Sequence, residues 1–264
     1  MNETDHPVTA QACARFVSAL SGIEADHDVK VLYACESGSR AWGFASPDSD
    51  YDVRFIYASR RSWYLAVFEA RDVIELPLEG DEDINGWDLR KALRLLAKSN
   101  PVLLEWLQSP IVYKSDTAFH AGLRELAARF HSPTALHYHY FHMARKNFRE
   151  HLLGEEVKLK KYFYVLRPVL ACQWIERGYG VPPMAFMSLV ERLLPAGVLL
   201  DTIRELRGRK MQTAEFGASA RITAIHDFLE AELMRLGRNA PLRPEEPVQH
   251  KALDDFLGRW AAQD

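Results

Sequence analysis

Cysteine is scarce in this chain: three in 264 residues, at positions 13, 35 and 172. An odd, widely spaced set builds neither a disulfide framework nor a thiolate zinc site, so no structural zinc and a reducing, cytoplasmic setting are expected. No apolar run approaches the roughly 18 residues of a membrane span. The opening MNETDHPVTAQ is acidic and polar, unlike a secretory signal. Charge of one sign is not in excess either, with 33 Lys+Arg against 36 Asp+Glu and a net charge of −3. That excludes a global affinity for polyanions but leaves room for a local basic patch. Repeats and low-complexity stretches are missing. What remains is a globular composition, 48% hydrophobic and 26% charged, long enough for one large domain or two ordinary ones.

Along the chain, Ala12, Phe16, Val17 and Leu20 recur at helical spacing and predict an opening amphipathic helix over 8–22. Alternating apolar runs predict strands at 29–35 (Val29, Val31, Tyr33) and 51–57 (Tyr51, Val53, Phe55, Tyr57), with a helical turn at 40–43 between them. Further strands are expected at 73–76 and 83–87, on either side of a turn at 77–81. Asp88 is placed to cap the helix LRKALRLLAK, Asn100-Pro101 restarts a second helix, and 111–113 reads as an edge strand. Beyond 114 strand signals vanish, and helices are expected at 115–130, 133–152, 157–177, 183–194, 198–210, 218–236 and 248–262. The chain therefore reads as α+β: a mixed sheet with flanking helices over 1–113, then an all-helical domain over 114–264.

Chemistry concentrates in VKVLYACESGSRAWGFASPDSDYDVRFIYAS. Asp50 and Asp52 stand two apart at a strand, so both carboxylates leave one face of the sheet. Side by side they repel unless a cation lies between them. Magnesium suits such a pair, because it takes oxygen ligands and completes its shell with water and phosphate oxygens. Two such ions clamp the attacking and leaving oxygens of an in-line displacement. Gly38 lets the backbone approach a phosphate, and the Ser39 hydroxyl and nearby N–H groups can bond its oxygens. Each half alone is more often a plain polar turn; their order between two strands carries the inference. Asp83, in EDINGWD, is the best third carboxylate, with Asp88 in reserve. Arg40 is either added charge at a triphosphate or a solvated side chain, and Trp42 and Phe44 are either a pocket wall or core.

Gly38-Ser39, Asp50-x-Asp52 and a later strand aspartate resemble the signature of the DNA polymerase β-like nucleotidyltransferase superfamily. More closely, SGSRAWGFASPDSDYDVRFIY, DINGWDLRKALRLL, SNPVLLEWLQSPIVY and KKYFYVLRP resemble a bacterial and phage branch of predicted nucleotidyltransferases, some linked to RNA repair. The likeness spans about 29–175 and is weak beyond. It implies a polymerase β-like sheet and metal-dependent transfer of a nucleotidyl group from an NTP, with Mg²⁺ (or Mn²⁺) in a two-metal site. It also implies that Ser39 contacts the β/γ-phosphates, that Asp50 and Asp52 bind metal, and that Asp83 is the third ligand.

In KLKKYFYVLRP, helical spacing places Lys160, Tyr164 and Arg167 on one stripe and Lys161 beside Tyr164. Residues 145–167 carry seven Lys/Arg against three Glu. Relatives use such a helical domain to close over the nucleotide, and a positive patch also holds RNA phosphates. The basic run Arg204, Arg207, Arg209 and Lys210 reads as surface, and His137, His139 and His142 as packing rather than zinc ligands. The expectation is a nucleotidyltransferase acting on a hydroxyl acceptor, an RNA 3′ end by analogy. A protein hydroxyl (AMP transfer), an aminoglycoside-type small molecule, or a non-catalytic nucleotide- or RNA-binding module are the alternatives.

Overall fold

A computed structural model describes residues 8–78, 80–213, 217–238 and 250–262. The polar N-terminal stretch up to residue 7, residue 79 in the expected turn and residues 239–249 around the expected late break lie outside the described residues.

The described residues form two compact units. The first holds residues 8–41, 50–131 and 250–262. It contains α1 (Ala10–His27), β1 (Lys30–Glu36), α2 (Gly38–Trp42, its last residue excepted), β2 (Tyr51–Ala58), α3 (Arg61–Tyr64) and β3 (Val73–Glu75). It continues with β4 (Glu82–Asp88), α4 (Leu89–Ala97), α5 (Pro101–Trp106), β5 (Val112–Ser115) and α6 (Thr117–Phe130). The second unit holds residues 42–49, 132–213 and 217–238. Its elements are α7 (Pro133–His151), β6 (Glu156–Lys158), α8 (Lys161–Glu176), α9 (Phe186–Leu193), α10 (Val198–Gln212), β7 (Ala218–Ala220) and α11 (Thr223–Arg238). The last helix, α12 (His250–Trp260), returns to the first unit, where Phe256 and Trp260 pack on Phe119 of α6. In this grouping α6 and α12 go with the sheet, and 42–49 goes with the helices.

The sheet runs β3-β4-β2-β1-β5 and is mixed, with β2 and β4 parallel and the other pairs antiparallel. α1 covers one face: Ala12, Phe16, Leu20 and Ile23 form one core with Val31, Ala34, Val53, Phe55 and Ile84. Across the pleat, the Tyr33 hydroxyl donates to the Trp106 carbonyl at 2.7 Å and its ring stacks on His120 of α6. An irregularity between Val31 and Tyr33 breaks the alternation that the sequence suggests, because a bulge shifts side chains to the opposite face. With both faces covered, every residue of β1 after Lys30 is buried. β2 and β4 lie close enough that a Cβ on Gly86 would sit 2.1 Å from the Phe55 ring, so only glycine fits opposite that phenylalanine. Asp88 and Asn100 cap α4 and α5 as their positions predict.

In the helical unit α7 packs along α8, with Tyr140, Phe141, Phe148, Phe163 and Phe186 in the core. Strand structure does persist beyond 114. β6 and β7 pair antiparallel over three residues each, where the sequence suggests only helix. The signal was weak because each strand is only three residues long and its partner lies some sixty residues away. No helix among the described residues is long and apolar enough to cross a membrane.

Candidate active site at the head of two parallel strands

The parallel register of β2 and β4 sets Asp52 opposite Asp83. The Tyr51 N–H donates to the Asp81 carbonyl at 2.7 Å and starts the pairing one residue earlier. Neighbours in register project to the same face, so the two carboxylates meet. Asp50 just precedes β2 and is exposed. The Asp52 carboxyl is pushed up chiefly by burial. Arg54 opposes that shift, Asp83 and Asp50 add to it by repulsion, and Arg40 opposes it.

Gly38 is demanded twice. Its φ is +59°, in the region L side chains avoid, and an added Cβ would lie 1.9 Å from Asp52 Oδ2. The glycine expected to admit a phosphate therefore also seats the carboxylate beside it. The Ser37 N–H donates to the Asp52 carbonyl at 2.8 Å and ties the end of β1 to β2. Ser39 is half-buried in α2. Arg40 is not a solvated arginine. It is buried, its guanidinium lies 3.9 Å from the Tyr51 ring centre, and its Nε donates to the Asp50 carbonyl at 3.3 Å. Asp88 leaves the site: at the other end of β4 it accepts from the Arg90 N–H at 2.8 Å and the Tyr64 hydroxyl at 2.8 Å.

Sequence reasoning missed two residues. Arg54 Nη2 donates to Asp52 Oδ1 at 2.8 Å and to Asp83 Oδ2 at 2.7 Å, while Nη1 donates to the Asp83 carbonyl at 2.7 Å and the Val53 carbonyl at 3.1 Å. The signal was available, since positions 50, 52 and 54 share a face of an extended strand. Glu36, the last residue of β1, is fully buried; it accepts from the Asp52 N–H at 2.8 Å and from the Tyr113 hydroxyl. Burial pushes its carboxyl up to about 7, against the pull of the Tyr113 hydrogen bond. An acid closing an otherwise apolar strand was the visible clue.

The donor chemistry fits a hard divalent cation: carboxylate oxygens throughout, two of them adjacent and the third residue coupled to them. Among the described residues, no three His, Cys, Asp or Glu side chains are gathered as a ready cluster. Arg54 bridges the pair from the strands.

The helical unit places the other expected residues differently from one another. Lys160 is exposed and Lys161 half-buried, its Nζ 5.0 Å from the centre of the Tyr164 ring. Burial and then the neighbouring Lys160 and Lys158 push the Lys161 amine down. Tyr164 meets Trp42 edge-on at 5.7 Å, and the Arg167 guanidinium lies 4.9 Å from the Trp42 ring centre. Arg167 is buried and donates to the Met184 carbonyl at 3.4 Å, which makes it a packing cation rather than an open one. Phe44 is core, stacked on Phe163 at 4.7 Å. Two members of the basic run read as surface are not. Arg207 Nε donates to the Gly43 carbonyl at 2.9 Å, and buried Lys210 donates to the Ser46 hydroxyl at 3.4 Å, so both fasten the loop at 42–49. His137 is buried against Glu176 at 3.2 Å.

A family described as the RNA repair pathway DNA polymerase beta family (RlaP) matches residues 14–259. An uncharacterized protein, YcgL of Bacillus subtilis (strain 168), is 50% identical over 222 residues, which is 84% of this chain and 85% of that protein. Among solved structures, a nucleotidyltransferase-like protein from Exiguobacterium sibiricum aligns over 92% of this chain and 80% of its own, at 12% identity and a TM-score of 0.30. A structural likeness that slight carries no weight by itself.

Proposed function

Because the chain belongs to the RNA repair pathway DNA polymerase beta family, it is a polymerase β-like nucleotidyltransferase, and we propose that it extends RNA. In this reading a nucleoside monophosphate moves from an NTP to an RNA 3′-hydroxyl and pyrophosphate leaves. The observation that carries it is the meeting of Asp52 and Asp83 across β2 and β4, with Gly38 against Asp52.

Asp50, Asp52 and Asp83 would hold Mg²⁺ (or Mn²⁺), which when bound supplies charge neutralisation at the α-phosphate and at the leaving pyrophosphate. Asp83 accepts the proton of the attacking hydroxyl as its oxygen forms a bond to the α-phosphorus. The bond from that phosphorus to the bridging oxygen breaks, and the electron pair leaves with pyrophosphate. Gly38 and Ser39 offer backbone N–H groups and a hydroxyl to the β/γ-phosphates. Arg40 adds positive charge from beneath Tyr51. Lys160 and Lys161 add charge suited to phosphate, with Tyr164 and Arg167 shaping that surface around Trp42. Most of the rate would come from positioning and electrostatics.

The test is pyrophosphate release from each NTP with an RNA acceptor. Release should need both RNA and a divalent ion, stop when the 3′ end is a dideoxynucleotide, and drop at least about a thousandfold in Asp52→Ala. Full release from blocked RNA would sink the acceptor assignment. Undiminished release by Asp52→Ala would sink the site.

A further inference from the structure

Arg54 has no part in the transfer chemistry above, yet it donates to both carboxylates and to two backbone carbonyls at the site. A single nitrogen, Nη2, serves Asp52 Oδ1 at 2.8 Å and Asp83 Oδ2 at 2.7 Å. The other terminal nitrogen rests on the Asp83 and Val53 carbonyls at 2.7 and 3.1 Å, which moors the guanidinium to both strands. The Arg54 side chain is 17% exposed, against 28% for Asp52 and 40% for Asp83, so the cation sits on the inner side of the pair. A carboxylate pair this close would otherwise carry two unscreened charges. With Arg54 it carries one.

We propose that Arg54 is a positioning residue and built-in countercation, and that it sets the metal affinity of the site. It holds Asp52 and Asp83 together, and a divalent ion engages their oxygens in competition with Nη2. This rests on the metal-dependent reading above. The rival account is a plain inter-strand tie that orients the carboxylates for the ion. The two differ in sign. Removing a competitor tightens metal binding, whereas removing an orienting tie weakens it.

Manganese binding, read as the loss of free Mn²⁺ signal by electron paramagnetic resonance without NTP or RNA, separates them. Arg54→Gln should bind Mn²⁺ about tenfold more tightly, as expected for deleting a unit charge a few ångströms from the ion near solvent. Its melting temperature in chelator should fall below wild type, and its gain on adding Mn²⁺ should exceed wild type's. Arg54→Lys, which keeps the charge, should bind within about threefold of wild type. In the wild-type protein, ¹⁵N resonances of the Arg54 guanidinium should move during a Mg²⁺ titration with the midpoint of binding. Equal or weaker Mn²⁺ binding by a folded Arg54→Gln overturns the proposal, and so does a stationary Arg54 resonance, whether or not that variant folds. Wild-type protein that binds no Mn²⁺ overturns the metal reading itself and the proposal with it.

Discussion

Charge is handled in opposite ways at the head of β2 and β4 and at the entry to α8. At the strands, opposite charges meet: one guanidinium serves two carboxylates at 2.7–2.8 Å, moored by backbone carbonyls. At the helix, like charges crowd: burial, and then Lys160 and Lys158, depress the Lys161 amine. Strand pairing creates the first arrangement, because register alone brings Asp52 to Asp83. The second arises where β6 ends at Lys158 and α8 begins at Lys161 with Lys160 between them, which sets three lysines within four residues. A pinned carboxylate pair is sensitive to displacements of an ångström, whereas lysines at or near the surface respond to net charge and to salt.

The largest effect should come from breaking the pinned side. In Gly38→Ala the new methyl meets Asp52 Oδ2 at 1.9 Å, so the carboxylate must swing away. Nucleotidyl transfer should fall at least about a hundredfold, while stability drops by only about 1–2 kcal/mol from the positive φ. Steady-state kinetics beside thermal melting would check both. Near-normal transfer would mean that Asp52 needs no fixed seat.

A second, smaller break acts through Glu36. Its carboxyl is raised from 4.5 to about 7, so the folded state favours the protonated form. That stabilisation is complete below about pH 4.5 and is lost as pH rises toward 7, an effect on the order of 3 kcal/mol. Glu36→Gln retains an acceptor for the Asp52 N–H and should flatten that slope in melts between pH 4.5 and 8. An unchanged slope would place the titration elsewhere.

Much of the pinned side was legible. The capping residues Asp88 and Asn100 are local signals that form the element their positions predict, whereas Gly38 and Ser39 open α2 instead of forming a turn and Asp50 falls one residue before β2. Asp83 could be found because its strand pattern placed it in the same sheet. Which contacts Arg54 and Glu36 make was not legible, because that depends on register. Nothing in the spacing says that Arg54 reaches across to β4, or that Glu36 accepts from Asp52. The same limit hid the β6–β7 pairing, the bulge in β1, and the hold of Arg207 and Lys210 on the loop at 42–49. A basic helical run looks like a solvated face until the acceptor it caps is known.

The crowded side should break more gently. Replacing Lys160 and Lys161 together with alanine should weaken RNA binding about tenfold and lower the slope of log affinity against log salt by about one to two. Fluorescence anisotropy at several salt concentrations measures both. Metal binding at the carboxylates should not change. Loss of affinity with no change in salt slope would show that the lysines act through packing instead.

The finest test lies within one strand. Asp83 and Asp88 stand at opposite ends of β4, and both looked like candidates for the third carboxylate. Asp88 already has its partners: the Arg90 N–H, the Tyr64 hydroxyl and the Ser59 hydroxyl surround it, and burial raises its carboxyl. Asp88→Asn should therefore cost stability, about 1 kcal/mol for a weakened cap, and leave Mn²⁺ binding and transfer within about twofold of wild type. Asp83→Asn should do the reverse, losing transfer with little change in melting temperature because its side chain is 40% exposed. If Asp88→Asn loses metal binding while remaining folded, the pairing of Asp52 with Asp83 is not the metal site, and β4 does not divide its carboxylates into one that caps and one that ligates.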